Sequence, residues 1–324
     1  MRPTLRTWIK HILLLLVTLV TSTIAGVLYP FGTRDPMPLV DPQSWGELFH
    51  LLFTLPSHYA LLIASTIYAL ASDTQLLTDG LSFSLSLLFI LISHEMGHYI
   101  ACRIYGVDAT LPFFIPTPPM IGPAGTFGAF IKIMSPMPSR KAVFDIGVAG
   151  PIAGFIALVP IAIIGIATMR PMPAEYINIP GTITFTDPLF MRLVGLLLGQ
   201  DPVSSIGNPF YFAAWIGLLV TALNLIPSGQ LDGGHAIYAV LGKRVHFFTG
   251  RIAFVIMTAL SIIGFIYFNS PSGFLIAILL GIMMRIGHPE PYDQTPLDGK
   301  RKLIACLTLV IFVLSFVPFA IRIN

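Results

Sequence analysis

Seven apolar runs divide this chain, at 12–29, 80–102, 143–169, 210–226, 251–268, 273–287 and 303–321. A helix needs about 20 apolar residues to cross a bilayer, and most of these runs approach or exceed that length. In lipid every backbone N–H and C=O must be satisfied internally, so such runs become helices packed on one another. The composition agrees: 55% of residues are hydrophobic and only 10% charged, against about 25% charged in a soluble domain. The expected fold is an all-α polytopic membrane protein of about 7–8 transmembrane helices, with the lipid bilayer as its surroundings.

A net charge of +3 is small, and the cations stand beside the apolar runs. That placement speaks for membrane topology and against nucleic-acid binding. Arg2, Arg6 and Lys10 precede the first run. Arg103, Lys132, Arg140 and Lys141 lie between the second and third, Lys243, Arg244 and Arg251 between the fourth and fifth, and Lys300, Arg301 and Lys302 before the last. If the runs alternate in direction, all these clusters share one side, which the positive-inside rule assigns to the cytoplasm. The first run is too long for a usual signal-peptide core and is expected to remain as a span. The stretch 46–71 is apolar but interrupted by Pro56-Ser57-His58. With the N-terminus inside, it must cross zero times or twice, and the non-crossing reading is preferred.

Two segments are not spans. Residues 111–139 contain Pro112, Pro116, Pro118, Pro119, Pro123, Pro136 and Pro138 and cannot be one helix. Thr126–Ile133 carries strand-forming residues with glycine punctuation. A re-entrant, partly β segment is expected near 111–139, tolerated at membrane depth only where it lines a cavity or packs on protein. Residues 170–209 are Pro-rich and polar, with Glu175, Asp187 and Asp201 and an apolar patch at Leu189–Leu198. The expected organisation is an N-terminal membrane segment 1–79, a core 80–240, and C-terminal transmembrane helices 241–324.

His94-Glu95-Met96-Gly97-His98 lies near the end of the run 80–102. On a helix, residues i and i+4 share a face, so His94 and His98 can reach one metal ion, and Glu95 can serve as a general base. Ionisable groups in lipid are costly and are expected to be functional or paired. A hydrolytic zinc centre takes three protein ligands and keeps one position open. Asp232, in Asn224-Leu-Ile-Pro227-Ser-Gly-Gln-Leu231-Asp232-Gly233-Gly234-His235, lies at a matching depth and is the first candidate for the third. Pro227 would break the helix and let the chain fold back. His235 and Asp145 remain open as competitors. Asn224, about two helical turns before Asp232, is a lone amide in an apolar run; it either bonds a neighbouring helix or donates to an oxyanion. His11, His50, His58, His246 and His288 read as interfacial or solvated. Glu175 and Glu290, the glutamates after Glu95, both fall in loops.

With both motifs in view, the chain resembles the site-2 protease family of intramembrane zinc metalloproteases, whose signature is H-E-x-x-H on one transmembrane helix and N-x-x-P-x-x-x-L-D-G on another. The matching residues are His94–His98 and Asn224–Gly233. The resemblance implies Zn2+ held by His94, His98 and Asp232, Glu95 as general base, and a metal facing the cytoplasm; Asn224 is expected to help hold the oxyanion. Gly125-Thr-Phe-Gly128 and the glycine-rich stretch Phe144–Gly154 are similar to the branch containing the chloroplast EGY-type proteases and their bacterial relatives. Residues 170–209 are expected to be too few for a PDZ domain, and residues 288–324 too few for a CBS pair. The implied function is hydrolysis of peptide bonds in transmembrane protein substrates, and the expected location is a bacterial inner (cytoplasmic) membrane. The alternative is a metal transporter or metal-sensing membrane protein, which would show several ligand stations along a path. Oligomeric state is not legible in the sequence.

Overall fold

The structure, a computed structural model, describes residues 4–34, 42–173, 182–285 and 288–323. Ten helices are present among these: α1 (Leu5–Val27), α2 (Trp45–Ser72), α3 (Thr74–Ile104), α4 (Arg140–Ala167), α5 (Leu189–Leu198), α6 (Pro209–Leu225), α7 (Asp232–Leu241), α8 (Lys243–Phe268), α9 (Ser272–Met283) and α10 (Gly299–Ser315). Short strands join them: β1 (Phe113–Pro116), β2 (Thr126–Phe130), β3 (Arg170–Pro171), β4 (Ile183–Phe185), β5 (Ser205–Ile206) and β6 (Ile321–Ile323). The protein is a helical membrane protein. Five helices, α1, α2, α3, α4 and α8, are long and apolar enough to cross a bilayer. The runs at 210–226 and 273–287, short against a full span, form the shorter apolar helices α6 and α9.

The stretch 46–71 is not broken by its proline. It is one continuous helix of 28 residues through Pro56, and by length and composition it can cross. Near the proline, the Ser57 hydroxyl donates to the Thr54 carbonyl at 2.7 Å, while the Leu52 carbonyl loses the N–H that a residue other than proline would supply from position 56. Leu70, near its end, packs with Val27 and Leu28 at the end of α1.

The other runs alternate. Gly26 of α1 meets Phe83 of α3, while His11 donates from Nδ1 to the Pro112 carbonyl, beyond the far end of α3, at 2.7 Å. The two helices therefore run antiparallel. At one end of the bundle Arg140 reaches the Gln294 carbonyl, Arg301 reaches Tyr105 and Asp145, and Lys243 pairs with Glu290. The cationic connections thus gather at one end. At the other, β4 pairs antiparallel with β6, Ile183 opposite Ile323, and the Ile183 N–H donates to the Tyr29 hydroxyl.

The segment 111–139 contains a strand within the expected Thr126–Ile133, β2, and β1 besides. β1 and β2 form an antiparallel hairpin, Phe113 opposite Phe130, with an irregularity between Phe114 and Pro116. It is fastened to α1 by the His11 bond and by the Thr21 hydroxyl, which donates to the Gly125 carbonyl at 2.7 Å. The apolar patch of 170–209 becomes α5; Glu175 lies outside the described residues. The main core sits where α3, α4 and α6 cross, around Phe83, Leu87, Leu158, Ala213 and Leu218.

Candidate metal centre

The close packing of α3 on α4 positions the first two candidate ligands. Gly97 faces the Ala149 carbonyl, Gly150 faces the His98 ring, and Gly154 faces His94. Small residues let membrane helices approach until backbone and side chain touch. His94, Glu95 and His98 are buried there.

The third group arrives by a turn. α6 ends at Leu225, as Pro227 requires. Gly233 then packs against the Leu225 carbonyl and Gly234 against that of Gly229, so the chain doubles back and α7 starts at Asp232. Asn224 and Asp232 are therefore on two helices, joined by a loop that folds back on itself past Pro227, the break that the sequence predicts. Gly229 takes φ +55° with its Cα beside the Met283 carbonyl, a conformation and a space suited to glycine alone.

The result is a convergence of nitrogen and oxygen donors. His94 Nε2 and His98 Nε2 are 3.1 Å apart, and Asp232 Oδ2 is 3.4 Å from each. Donors held 2.0–2.1 Å from a tetrahedral ion are separated by about 3.4 Å, so the three atoms fit one zinc ion and leave a fourth position. Among the described residues this is the one group of three metal-ligating side chains whose ligand atoms gather within 4.8 Å.

Neighbouring groups fix the donors. His98 Nδ1 lies 2.7 Å from the Ile146 carbonyl on α4. A carbonyl can only accept, so Nδ1 carries the hydrogen and Nε2 presents its lone pair, the arrangement that usually orients a metal-binding imidazole. Asn224 Nδ2 is 3.3 Å from His94 Nε2, so the amide borders the same space. β2 packs against α3, and the backbone of Ile131, one residue past β2, faces the Glu95 carboxylate. The hairpin therefore touches the site.

The competitors for third ligand are occupied elsewhere. Asp145 is bound by Arg301, at 2.7 Å, and by the Tyr105 hydroxyl. His235 points Nδ1 at His288 Nε2, 2.6 Å away. Of the histidines read as interfacial or solvated, His50 and His58 are exposed, but His11 and His246 are buried, and His288 stacks on Tyr238 with ring centroids 4.0 Å apart. Sequence reading also missed Ile146, which acts through its carbonyl, and the glycines that face the ligands. The spacing Gly147, Gly150, Gly154 on one helix, set beside an H-E-x-x-H helix, is the signal that pointed to them.

The model of peptidase family M50 matches residues 82–264, more than half of the chain. The chain belongs to this family, the site-2 proteases. It is 30% identical over 196 residues to an Arabidopsis thaliana protein described as the probable zinc metalloprotease EGY2, chloroplastic, covering 60% of this chain and 34% of that one. Similarity to the EGY1 proteins is comparable: 29% over 257 residues in Oryza sativa subsp. japonica, 76% of this chain and 42% of that one, and 29% over 250 residues in Arabidopsis thaliana, 74% and 43%. The chain spans less than half the length of these relatives. Their names place them in chloroplasts, which gives no support to the bacterial cytoplasmic membrane expected from the sequence.

Proposed function

We propose that this chain is an intramembrane zinc metalloprotease that hydrolyses peptide bonds of membrane-spanning proteins. The observation that carries the reading is the convergence of His94 Nε2, His98 Nε2 and Asp232 Oδ2 at 3.1–3.4 Å beside a buried Glu95. These three side chains would hold the ion, and zinc bound there supplies Lewis acidity and a lowered pKa for water. Glu95 accepts the proton from the attacking water and returns it to the departing amine, a transfer worth about 10²–10⁴ in rate. The Asn224 amide donates to the carbonyl oxygen as negative charge develops on it. Ile146 keeps His98 in one tautomer throughout.

A substrate helix has its carbonyls tied up in hydrogen bonds, so it must unwind before attack. β2 is paired on one side only, among the described residues, and its continuation touches Glu95. In this reading the unwound strand adds to the free edge of β2 by β-augmentation, which lays its backbone along the site. The core 80–240 carries the chemistry, with 1–79 and 241–324 as flanking helices. The cationic clusters gathered at the His94–His98 end support a site facing the cytoplasmic or equivalent side.

The deciding experiment compares full-length wild type with Glu95→Gln in detergent, on a single-span substrate. Both proteins are expected to hold one zinc, and the variant to lose cleavage. Unchanged cleavage by Glu95→Gln would remove Glu95 as the base, and metal flux in vesicles surviving the substitution would favour the transporter.

A further inference from the structure

Residues 288–301 lie beyond the part of the chain that matches the family, which ends at 264, yet they reach back to both arms of the metal centre. The first contact is His288. Its Nδ1 is 2.7 Å from the Pro289 carbonyl and so carries the hydrogen; its Nε2 therefore accepts from His235 Nδ1–H at 2.6 Å. The ring also lies flat on Tyr238, at an interplanar angle of 8°. His235 and Tyr238 both belong to α7, whose first residue is Asp232. His235 is itself wedged against Gly147 of α4.

The second contact is Arg301. Its Nε lies 2.9 Å from Asp145 Oδ1, and one terminal nitrogen lies 2.7 Å from Oδ2 and 3.0 Å from the Tyr105 hydroxyl. Such a planar two-point grip fixes direction as well as distance. Asp145 immediately precedes Ile146, whose carbonyl holds His98.

Between these points the segment is stitched down. The N–H groups of Tyr292 and Asp293 donate to the carbonyls of Met137 and Pro138, and the Arg140 N–H donates to the Asp293 carbonyl. The Arg140 guanidinium also donates to the Ala239 carbonyl of α7, at 2.8 and 3.1 Å. The exposed Lys243–Glu290 pair adds little by comparison.

We propose that His288–Arg301 is a strap that holds the two ligand-bearing arms in register, with His288 positioning Asp232 through α7 and Arg301 positioning His98 through Asp145 and Ile146. Both are positioning residues. The proposal rests on the metalloprotease reading above. Outer residues that orient metal ligands typically change affinity or activity 10–100-fold when removed.

The test uses the full chain in detergent, stripped of metal and loaded with Co2+ to read coordination from its visible bands. His288→Ala and Arg301→Met are expected to elute and fold like wild type, to bind Co2+ about 10–100-fold more weakly, and to shift the bands. kcat should fall while KM stays within about twofold of wild type, and His288→Gln and Arg301→Lys should recover much of the loss. Asp145→Asn, nearly identical in shape, removes the same grip should Arg301→Met fail to fold. Wild-type affinity and bands in the folded variants would overturn the strap, even if activity fell. A wild-type protein that takes up no Co2+, or takes it up equally after Asp232→Ala, would overturn the metalloprotease reading and the strap with it.

Discussion

His98 Nδ1 and the carbonyl oxygen of Ile146 are 2.7 Å apart, although 48 residues separate them in sequence. The bond exists because Gly150, one turn further along α4, leaves room for the His98 ring; a Cβ at that position would run into the imidazole.

Gly150→Ala should therefore lose zinc. In an ordinary helix interior the same change stabilises by about 1 kcal/mol, so the outcome has the opposite sign to helix propensity. Zinc content and thermal midpoint, measured together, check it; a metal-replete, more stable variant would show that the α3–α4 contact can open without cost.

Asn224→Ala should keep zinc and lower kcat by about 10²–10³, the loss typical of a missing oxyanion donor. Its amide borders His94 Nε2 at 3.3 Å. A lowered thermal midpoint with unchanged kcat would make Asn224 a helix-packing amide.

A proline scan along Phe127–Phe130 should give an alternating result. In an antiparallel pair successive N–H groups point alternately to the partner and away from it. Prolines in one phase should abolish cleavage with zinc retained; those in the other should break the pairing with β1 and lower stability. Cleavage retained by every folded variant would refute β-augmentation at this edge.

The strap should loosen in acid. Burial holds the His288 imidazole down to about 3, helped by His235, against about 6.5 in an unfolded chain. The groups facing it are His235 and Tyr238 from α7 and His246 from α8. Between these two values the unfolded chain binds a proton that the folded chain refuses, so this contribution is complete above pH 6.5 and falls as pH drops toward 3. Thermal midpoints at pH 7.5 and 5 should differ less in His288→Gln than in wild type; equal differences would contradict the assignment.

What the sequence determined was what local rules govern. Apolar run length specified helices, Pro227 specified the end of α6, the prolines of 111–139 excluded a helix there, and the i, i+4 rule placed His94 and His98 on one face. These depend on a few neighbouring residues and on the surrounding lipid. Whether Pro56 would break the helix at 46–71 was not legible in the sequence, and α2 runs through it unbroken. The tertiary structure decided which groups meet. Asp145, His235 and Asp232 were comparable ligands by chemistry, and only packing paired Asp145 with Arg301 and His235 with His288 and turned Asp232 toward the imidazoles. Ile146 was invisible because it contributes a carbonyl, which every residue carries; its role comes from the glycine-lined approach of α4 to α3, a property of two helices that neither sequence segment holds alone.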